Sequence, residues 1–415
     1  MSVESAPLSL LVATLRYPPY VAGGYEMQTR DVVEGLRARG HRVRVLCGAG
    51  SRYGATPELL PWLAPELDGD EDLFERSYRA GNAERFRLHF LRLANYRATL
   101  RALRTSAADC LLYFNLALVS LAPILAARHA GVPTLGYAGD AWPLNHWVED
   151  WRASAAADGK PARLVLLERA WRGFRATIGM GRLLACSQSI ARRLIDDGIP
   201  SESVSVLYPS LPPDFRVGPA PRPRGPGEPL RVLCASSLWK GKGQDVLLAA
   251  AARARALGAP LEVVIAGGGR DDWRAELERR RAALGLADGA RFTGLLPRAE
   301  LVREFERAHV LAVPSTWAEP FGLVTLEGMA AGLAVVVSDA GASPELVRDG
   351  VEGRVVPAGD AQALAAALVE LAGDDRRRLE LAARGHATVA SRFGREGFLG
   401  EMERELFGLV PRERP

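Results

Sequence analysis

Two glutamates, Glu319 and Glu327, are separated by seven residues and can accept hydrogen bonds from hydroxyl groups. The hydrophobic pattern predicts a buried strand at Val310–Val313, then a polar loop, then a helix that begins at Gly322 and ends at Gly332. Glu319 lies in the predicted loop, whereas Glu327 lies on a helix face that is otherwise apolar. A carboxylate on such a face is costly to bury without partners, and sugar hydroxyls are suitable partners.

The predicted start of this helix adds a second kind of binding group. The backbone N–H groups of Gly322 and Leu323 have no acceptors within the helix, and the helix dipole favours an anion at this end. The segment therefore combines two hydroxyl-accepting carboxylates with a phosphate-accepting helix end, which is what a nucleotide sugar needs. The two acids alone leave open an ordinary strand–loop–helix unit with one acid on its surface.

The longer segment around these residues, PSTWAEPFGLVTLEGMAAG at 314–332, resembles the Glu-x7-Glu motif of the retaining GT-B glycosyltransferases of family 4. The resemblance implies that a hexosyl unit is transferred from a nucleoside-diphosphate sugar to an acceptor hydroxyl with retention of configuration. It assigns Glu327 to the nucleotide ribose. It assigns Glu319 to the donor sugar's hydroxyls and to an oxocarbenium-like transition state. Three further donor-binding residues are expected within the motif: Phe321, Gly322 and Leu323.

A lysine before the first helix of the same region supplies positive charge. Lys242, followed by Gly243, resembles the family's diphosphate-binding Lys-Gly pair, and an ammonium there would neutralise the leaving diphosphate. Relatives usually have an arginine five positions earlier, where this chain has Ser237. We hypothesise that Lys240 replaces the missing cation. The alternative is that Lys240 is a surface lysine that only contacts solvent.

A second glycine-rich turn lies near the start of the chain. A predicted strand at 8–13 leads through Gly23 and Gly24 into a helix at 25–39 and a strand at 43–46, which is a βαβ unit. The G-x-G-x-x-G fingerprint is absent, so a dinucleotide site is disfavoured. The two glycines resemble the family's N-terminal glycine loop, which faces the donor diphosphate and the acceptor, and a plain tight turn is the alternative.

An aromatic segment at 139–151 follows a predicted strand at 133–137 and is the candidate acceptor side. It contains Asp140, Trp142 and His146, and the tryptophan rings could form platforms for a sugar or an aromatic acceptor. Packing between domains is the alternative. Relatives commonly carry His-Asp here, but Gly139 replaces that histidine, so either His146 takes its role or no histidine does.

The composition is that of an ordinary globular protein. The chain has 415 residues, 48% hydrophobic and 25% charged, which predicts two domains. A net charge of +4 does not indicate a nucleic-acid partner. The four scattered cysteines and the lack of a signal peptide or membrane span predict a soluble, cytoplasmic protein.

Two charged segments have a functional and an ordinary interpretation. An amphipathic helix predicted at Arg85–Arg104 carries six arginines and could make weak peripheral contact with anionic lipid, although a solvated face is more common. Residues 51–82 are expected to be irregular, and the acids at 70–72 there could hold a metal. No third ligand is in view, so an acidic turn is the better interpretation. We therefore expect neither a metal nor another cofactor.

In the second half of the chain, strands predicted at 231–235, 261–265, 290–293, 310–313 and 334–338 alternate with helices, which indicates a doubly wound parallel sheet. The family resemblance implies a GT-B architecture of two Rossmann-like, doubly wound α/β domains facing a cleft. The predicted parts are an acceptor-side domain at 1–211, a linker at 212–229, a nucleotide-sugar domain at 230–390 and a returning helix at 391–415. In such sheets a ligand binds beyond the carboxyl ends of the strands.

Other functions on this fold remain open. A nucleotide-sugar epimerase would need its own acid–base set and a phosphorylase a cofactor lysine, and neither is identified in the sequence. A nucleotide-sugar-binding protein with weakened catalysis is kept open by Ser237 and Gly139. The nucleotide, the sugar and the acceptor, whether a small molecule, a lipid or a glycan, are not specified by these patterns.

Overall fold

The chain divides into two compact units. One comprises residues Met1–Tyr208 with Phe398–Pro415, and the other comprises Pro209–Gly397. The computed structural model describes residues 6–20, 24–48, 56–64, 87, 90–143, 161–213, 215 and 221–411, with side chains in the helix at Pro161–Ile178 described from residue 169 onward.

The first unit is built on a seven-stranded parallel sheet with the order β3-β2-β1-β4-β5-β6-β7. Its strands are β1 (Ser9–Ala13), β2 (Arg42–Gly48), β3 (Leu59–Leu63), β4 (Cys110–Tyr113), β5 (Thr134–Ala138), β6 (Arg182–Ala185) and β7 (Val204–Val206). Its helices include α1 (Gly24–Ala38), α2 (Leu93–Ser106), α3 (Ala122–His129), α4 (Pro161–Ile178) and α5 (Gln188–Asp196).

The second unit is built on a six-stranded parallel sheet with the order β10-β9-β8-β11-β12-β13. Its strands are β8 (Leu230–Ala235), β9 (Leu261–Ala266), β10 (Ala290–Gly294), β11 (Val310–Val313), β12 (Ala334–Ser338) and β13 (Gly353–Val356). Its helices are α6 (Gln244–Ala256), α7 (Asp271–Ala283), α8 (Arg298–Arg307), α9 (Leu323–Ala330), α10 (Ser343–Leu346), α11 (Ala361–Gly373) and α12 (Asp375–Arg392), and α13 (Arg395–Leu409) follows.

Several central strands of the two sheets are buried along their whole length, which explains why their positions are evident from the sequence. All residues of β11 and β12 are buried, as are all of β1 and β4. Strands covered by helices on both faces appear in a sequence as continuous apolar runs. The prediction of two doubly wound parallel sheets is therefore confirmed.

Two predictions in the first half of the chain are wrong. Residues 51–82 were expected to be irregular, but Leu59–Leu63 forms β3, which pairs with β2 at the edge of the sheet. The strand is short and contains a proline, Pro61, which is tolerated at an edge and hides the strand signal. The helix expected at Arg85–Arg104 is not continuous: Arg87 is helical, residues 90–92 are not, and α2 begins at Leu93 after Arg92, whose backbone is extended with φ −112° and ψ 111°. Residues 85, 86, 88 and 89 lie outside the described residues.

The described part of the proline-rich segment packs against the second unit. The Arg224 guanidinium donates to an Asp375 carboxylate oxygen at 2.9 Å and to the Ala372 carbonyl at 2.7 Å. Arg378, which is fully buried, donates to the same carboxylate at 2.8 Å and to the Arg222 carbonyl at 2.8 Å. Burial alone would raise the pKa of Asp375, but these hydrogen bonds outweigh it and hold the pKa at about 2.

A buried histidine lies beside this cluster. His309 is 1% exposed, and its Nδ1 accepts a hydrogen bond from the Arg231 N–H at 3.1 Å. The pKa of His309 is lowered to about 4, chiefly by burial; the nearby charges of Arg222 and Arg378 act in the same direction, and Glu228 opposes them. The imidazole is therefore neutral over the physiological range of pH.

The C-terminal helix α13 makes ionic contacts with the first unit. Glu403 contacts the Arg39 guanidinium at 2.5 Å and the His41 imidazole at 2.9 Å. Glu405 pairs with Arg182 at 3.0 Å. Residues from Phe398 onward therefore complete the first unit, although the chain reaches them only after the second unit.

Candidate donor site at the carboxyl ends of the second sheet

Three loops come together where β8, β11 and β12 end. These strands are neighbours in a parallel sheet, so their carboxyl ends share one edge. The Thr316 N–H donates to the Gly241 carbonyl at 2.8 Å, which joins the loop after β11 to the loop after β8. The Ala342 N–H donates to the Glu319 carbonyl at 2.8 Å, which joins the loop after β12 to the same loop. The loop that carries Glu319 is thus held by the loops on both sides of it.

Two glycines with positive φ make this close approach possible. A Cβ at Gly243, which has φ +66°, would lie 1.9 Å from the Pro314 carbonyl oxygen. A Cβ at Gly341, which has φ +65°, would lie 2.3 Å from the Glu319 carbonyl oxygen. Distances this short are not tolerated, so only glycine fits between these loops.

Lys242 and Glu319, which the sequence assigned to different parts of a ligand, form an ion pair with each other. The Lys242 Nζ lies 2.5 Å from Oε1 and 3.0 Å from Oε2 of Glu319. Glu319 is 3% exposed, and the lysine side chain is 18% exposed. The ammonium also lies 5.1 Å from the centre of the Trp317 ring, within the range of a cation–π contact. A cation and a carboxylate acceptor therefore lie side by side at this edge of the sheet.

The helix start that follows this pair has the predicted form. Gly322 adopts a left-handed conformation with φ +92° as the N-cap residue, and α9 begins at Leu323. Phe321 is 4% exposed and packs on Phe393 with ring centroids 6.1 Å apart. The side chain of Phe321 therefore anchors the loop within the protein core.

Glu327 has a protein partner that the sequence analysis missed. Its carboxylate is on α9, is 7% exposed, and accepts a hydrogen bond from Arg298 with Nη2 and Oε1 2.7 Å apart. Arg298 is the first residue of α8 and comes just after β10, so it arises at the same edge of the sheet. Its separation from Glu327 by 29 positions left no local signal for the pair.

Lys240 and Ser237 lie on the loop between β8 and α6. Lys240 and Lys242 share one turn of 3₁₀ helix; the first is exposed to solvent, and the second pairs with Glu319. Ser237 is exposed, and its carbonyl accepts a hydrogen bond from the buried Gln244 amide at 2.9 Å. Gln244 thus orders the loop.

Two tryptophans form an aromatic pair beside Lys242. The rings of Trp239 and Trp317 meet edge to face, with centroids 5.2 Å apart and planes at 71°. A Cβ at Gly241 would lie 2.2 Å from the Trp239 ring, so this glycine makes room for it. The Trp317 Nε1 is buried and has no hydrogen-bond partner among the described residues. The sequence analysis did not identify this pair.

The candidate acceptor residues in the first unit are only partly described. Gly23 and His146 lie outside the described residues, and Gly24 is the first residue of α1. Asp140 accepts a hydrogen bond from the Trp142 N–H at 2.7 Å. Trp142 is 4% exposed and meets Tyr113 edge to face at 6.3 Å, so this ring packs within the first unit and not in an open platform.

A tyrosine occupies the space in front of Gly139. A Cβ at Gly139 would lie 2.3 Å from the Tyr25 ring. The Tyr25 hydroxyl donates to the Tyr137 carbonyl at 2.6 Å and accepts from the Gly139 N–H at 3.1 Å. Burial, with a further contribution from Asp140, raises the pKa of Tyr25 well above its usual value, so the phenol is neutral. The Tyr25 ring therefore fills the space next to Gly139, the position at which the family resemblance led us to expect a histidine.

Comparison with solved structures identifies the architecture. Anabaena HepE, crystallised with UDP and glucose, superimposes with a TM-score of 0.69 at 20% identity, over 97% of this chain and 100% of the other. Together with the two parallel sheets, this similarity establishes the GT-B fold.

Sequence comparisons identify the family. Residues 22–215 match the family model "Glycosyltransferase Family 4", and residues 229–374 match "Glycosyl transferases group 1". The phosphatidyl-myo-inositol mannosyltransferase of Mycolicibacterium smegmatis is 39% identical over 148 residues, which is 36% of this chain and 37% of the relative. The D-inositol 3-phosphate glycosyltransferase of Thermobifida fusca is 33% identical over 238 residues, 53% of this chain and 54% of the relative.

The chain belongs to the group 1 glycosyltransferases of family 4. Its aligned regions cover about a third to a half of the length of these two curated relatives.

Proposed function

We propose that this protein transfers a hexosyl unit from a nucleoside-diphosphate sugar to an acceptor hydroxyl with retention of configuration. The observation that carries the proposal is the buried Lys242–Glu319 pair immediately before the start of α9. A cation, a carboxylate acceptor and the first N–H groups of α9 lie close together here, and this combination suits the diphosphate and the sugar of one donor.

Each group has a role in the proposed reaction. Lys242 and the N–H groups of Gly322 and Leu323 stabilise the charge that develops on the diphosphate as its bond to the anomeric carbon breaks. Glu319 holds the sugar hydroxyls and stabilises the positive charge of the oxocarbenium-like transition state. Glu327 accepts hydrogen bonds from the nucleotide ribose. The acceptor oxygen bonds to the anomeric carbon on the side that the diphosphate leaves, and its proton passes to a donor phosphate oxygen.

The proposed reaction needs no metal, because lysine and a helix end supply the positive potential. Among the described residues, no group of three or more His, Cys, Asp or Glu side chains could hold a metal ion. The acids at 70–72 lie outside the described residues. We expect activity to survive EDTA, and a loss that magnesium or manganese restores would contradict this part of the proposal.

For the acceptor we propose a small molecule, a lipid or a glycan. The two curated relatives are named for phosphatidyl-myo-inositol and for D-inositol 3-phosphate. Helix α2 presents exposed Arg97, Arg101 and Arg104 and the exposed Leu93, a composition suited to weak contact with anionic lipid. In the ranges that the structure describes, no helix is long and apolar enough to cross a membrane. A cytoplasmic location, with peripheral membrane contact as an option, is part of the proposal.

Two experiments test the proposal. Thermal shift with UDP-, GDP- and ADP-sugars identifies the donor, because a ligand that binds only the folded protein raises the melting temperature. Incubation of that donor with an acceptor panel, followed by NMR of the new anomeric bond, then tests transfer and retention. Inversion of configuration, or no binding of any nucleotide sugar, would refute the proposal.

A binding protein with weakened catalysis is the second candidate. The exposed Ser237, which replaces a family cation, and the Tyr25 ring in front of Gly139 are the observations that favour it. Donor binding without turnover across the acceptor panel would support this candidate, whereas turnover would exclude it.

A further inference from the structure

Arg298 contacts the carboxylate to which we assign the nucleotide ribose. The guanidinium Nη2 lies 2.7 Å from Glu327 Oε1, and the side chain of Glu327 is 9% exposed while that of Arg298 is 35% exposed. The neighbours of Glu327 on α9, including Leu326 and Met329, are fully buried. Without a cation the carboxylate would stand on an apolar face with little access to water, which is costly.

The ring of Phe215 contacts the Arg298 guanidinium. The Arg298 guanidinium carbon lies 5.0 Å from the centre of the Phe215 ring, within cation–π range. Phe215 is 4% exposed and meets Phe305 of α8 edge to face, with centroids 5.0 Å apart and planes at 77°. The planar guanidinium is therefore fixed by a carboxylate and by an anchored ring. A lysine ammonium would reproduce the charge but not the planar fit.

We propose that Arg298 is a positioning residue for nucleotide recognition, which fixes the Glu327 carboxylate in the orientation that accepts the ribose hydroxyls. The inference rests on the proposed function, in which Glu327 binds ribose. A carboxylate offers about four acceptor positions, so a hydrogen bond from Arg298 to Oε1 is compatible with hydrogen bonds from ribose hydroxyls to the same carboxylate.

If Arg298 instead competes with the ribose hydroxyls for Glu327, its removal should change nucleotide affinity in the opposite direction. If Arg298 occupied the place of the ribose hydroxyls, a nucleotide would have to displace it. Its removal would then strengthen nucleotide binding. A positioning role requires instead that its removal weakens binding, and specifically the part of binding that depends on the ribose hydroxyls.

The experiment compares a ribonucleoside diphosphate with its 2′-deoxy and 3′-deoxy forms by calorimetry. The base is whichever of UDP, GDP and ADP the wild-type protein binds best. The variants are Arg298→Gln, Glu327→Gln and the double variant. The matched control is Arg303→Gln, an exposed arginine on the same helix.

We expect Arg298→Gln to raise the Kd of the ribonucleotide roughly ten-fold, as for the loss of one hydrogen bond to a charged group. The deoxy forms should be affected far less, so discrimination between ribose and deoxyribose should shrink. Arg298→Lys should retain part of this discrimination, and Arg303→Gln should leave the Kd of every ligand unchanged. In the Glu327→Gln background, Arg298→Gln should have little further effect on the Kd. Equal weakening of all ligands, tighter binding, or additive effects in the double variant would overturn the inference.

The outcomes separate this inference from the proposed function. If the wild-type protein binds no nucleoside diphosphate, or if Glu327→Gln binds as the wild type does, the proposed function or its ribose assignment fails. If Glu327→Gln weakens binding and a folded Arg298→Gln does not, only the inference fails. Phe215→Leu provides a second variant, because it removes the ring contact and leaves the ion pair; it should lower ribose discrimination in the same direction.

Discussion

Removal of Lys242 should destabilise the second unit as well as abolish transfer. The pair that Lys242 forms with Glu319 has contacts of 2.5 and 3.0 Å, and its carboxylate is more deeply buried, at 4% side-chain exposure against 18% for the lysine. Two unit charges about 3 Å apart attract by about 5 kcal/mol at an effective dielectric constant of about 20. Breaking a buried pair from one side costs roughly 3–5 kcal/mol, because the remaining charge is left uncompensated.

The variant for this test is Lys242→Met, which keeps the length of the side chain against Trp317. We expect a loss of about 3 kcal/mol, at the low end because the lysine retains some contact with water. For a domain of about 200 residues this corresponds to a fall of roughly 6–12 °C in the melting temperature. Differential scanning calorimetry without ligand measures it.

Three further variants make the interpretation unambiguous. Glu319→Gln alone should cost less than Lys242→Met, because the lysine left behind is the more exposed partner. The double variant should melt near the wild-type temperature, since replacing both members of a buried pair is often neutral. Lys240→Met, in the same turn but exposed, is the control and should leave the melting temperature unchanged. An unchanged melting temperature for Lys242→Met would refute the reasoning.

If Lys240 replaces the missing family cation, Lys240→Ala should lower kcat by about ten-fold, or about 1.4 kcal/mol, and Ser237→Arg should restore kcat in that background. An unaltered kcat would show that Lys242 is the one cation of this loop that acts on the diphosphate. Gly341→Ala should reduce both stability and activity, because its Cβ would displace the Glu319 backbone, and normal kinetics in this variant would contradict the packing argument. His309 has a pKa of about 4 when folded and about 6.5 when unfolded, so the unfolded state binds more protons between these values. Stability should therefore be lost as pH falls from 6.5 towards 4, by up to about 3 kcal/mol, and His309→Asn should flatten this part of a urea-unfolding profile.

The sequence predicted the second sheet well because each of its central strands is covered on both faces. Val310–Val313 and Ala334–Ser338 are continuous apolar runs bounded by polar loops, so their position and type follow from local pattern alone. The strands at the edges of the two sheets were harder to predict. Neither Leu59–Leu63 nor Gly353–Val356 was predicted, because a short edge strand that contains proline or glycine lacks the apolar run.

The candidate site was predictable where its residues are close in sequence and not where they meet across the fold. Glu319, Gly322 and Glu327 lie within one strand–loop–helix segment. The contact of Glu327 with Arg298 depends on how α8 and α9 are placed on the sheet, which no local pattern encodes. The charge of Glu327 did indicate that it needed a partner, but sugar hydroxyls satisfied that requirement equally well in the sequence analysis.

The close contact of the Tyr25 ring with Gly139 constrains how these two positions can change over evolutionary time. Any side chain at 139 would meet the ring at 2.3 Å, so a substitution there requires a smaller residue at 25 first. A smaller residue at 25 in turn loses the hydrogen bonds to Tyr137 and Gly139 and the edge-to-face contact with Phe114. Whichever of the two positions changes first, the protein with that single substitution is less stable. Positions 25 and 139 should therefore change together among the relatives of this chain, and a histidine should occur at 139 only where 25 is small.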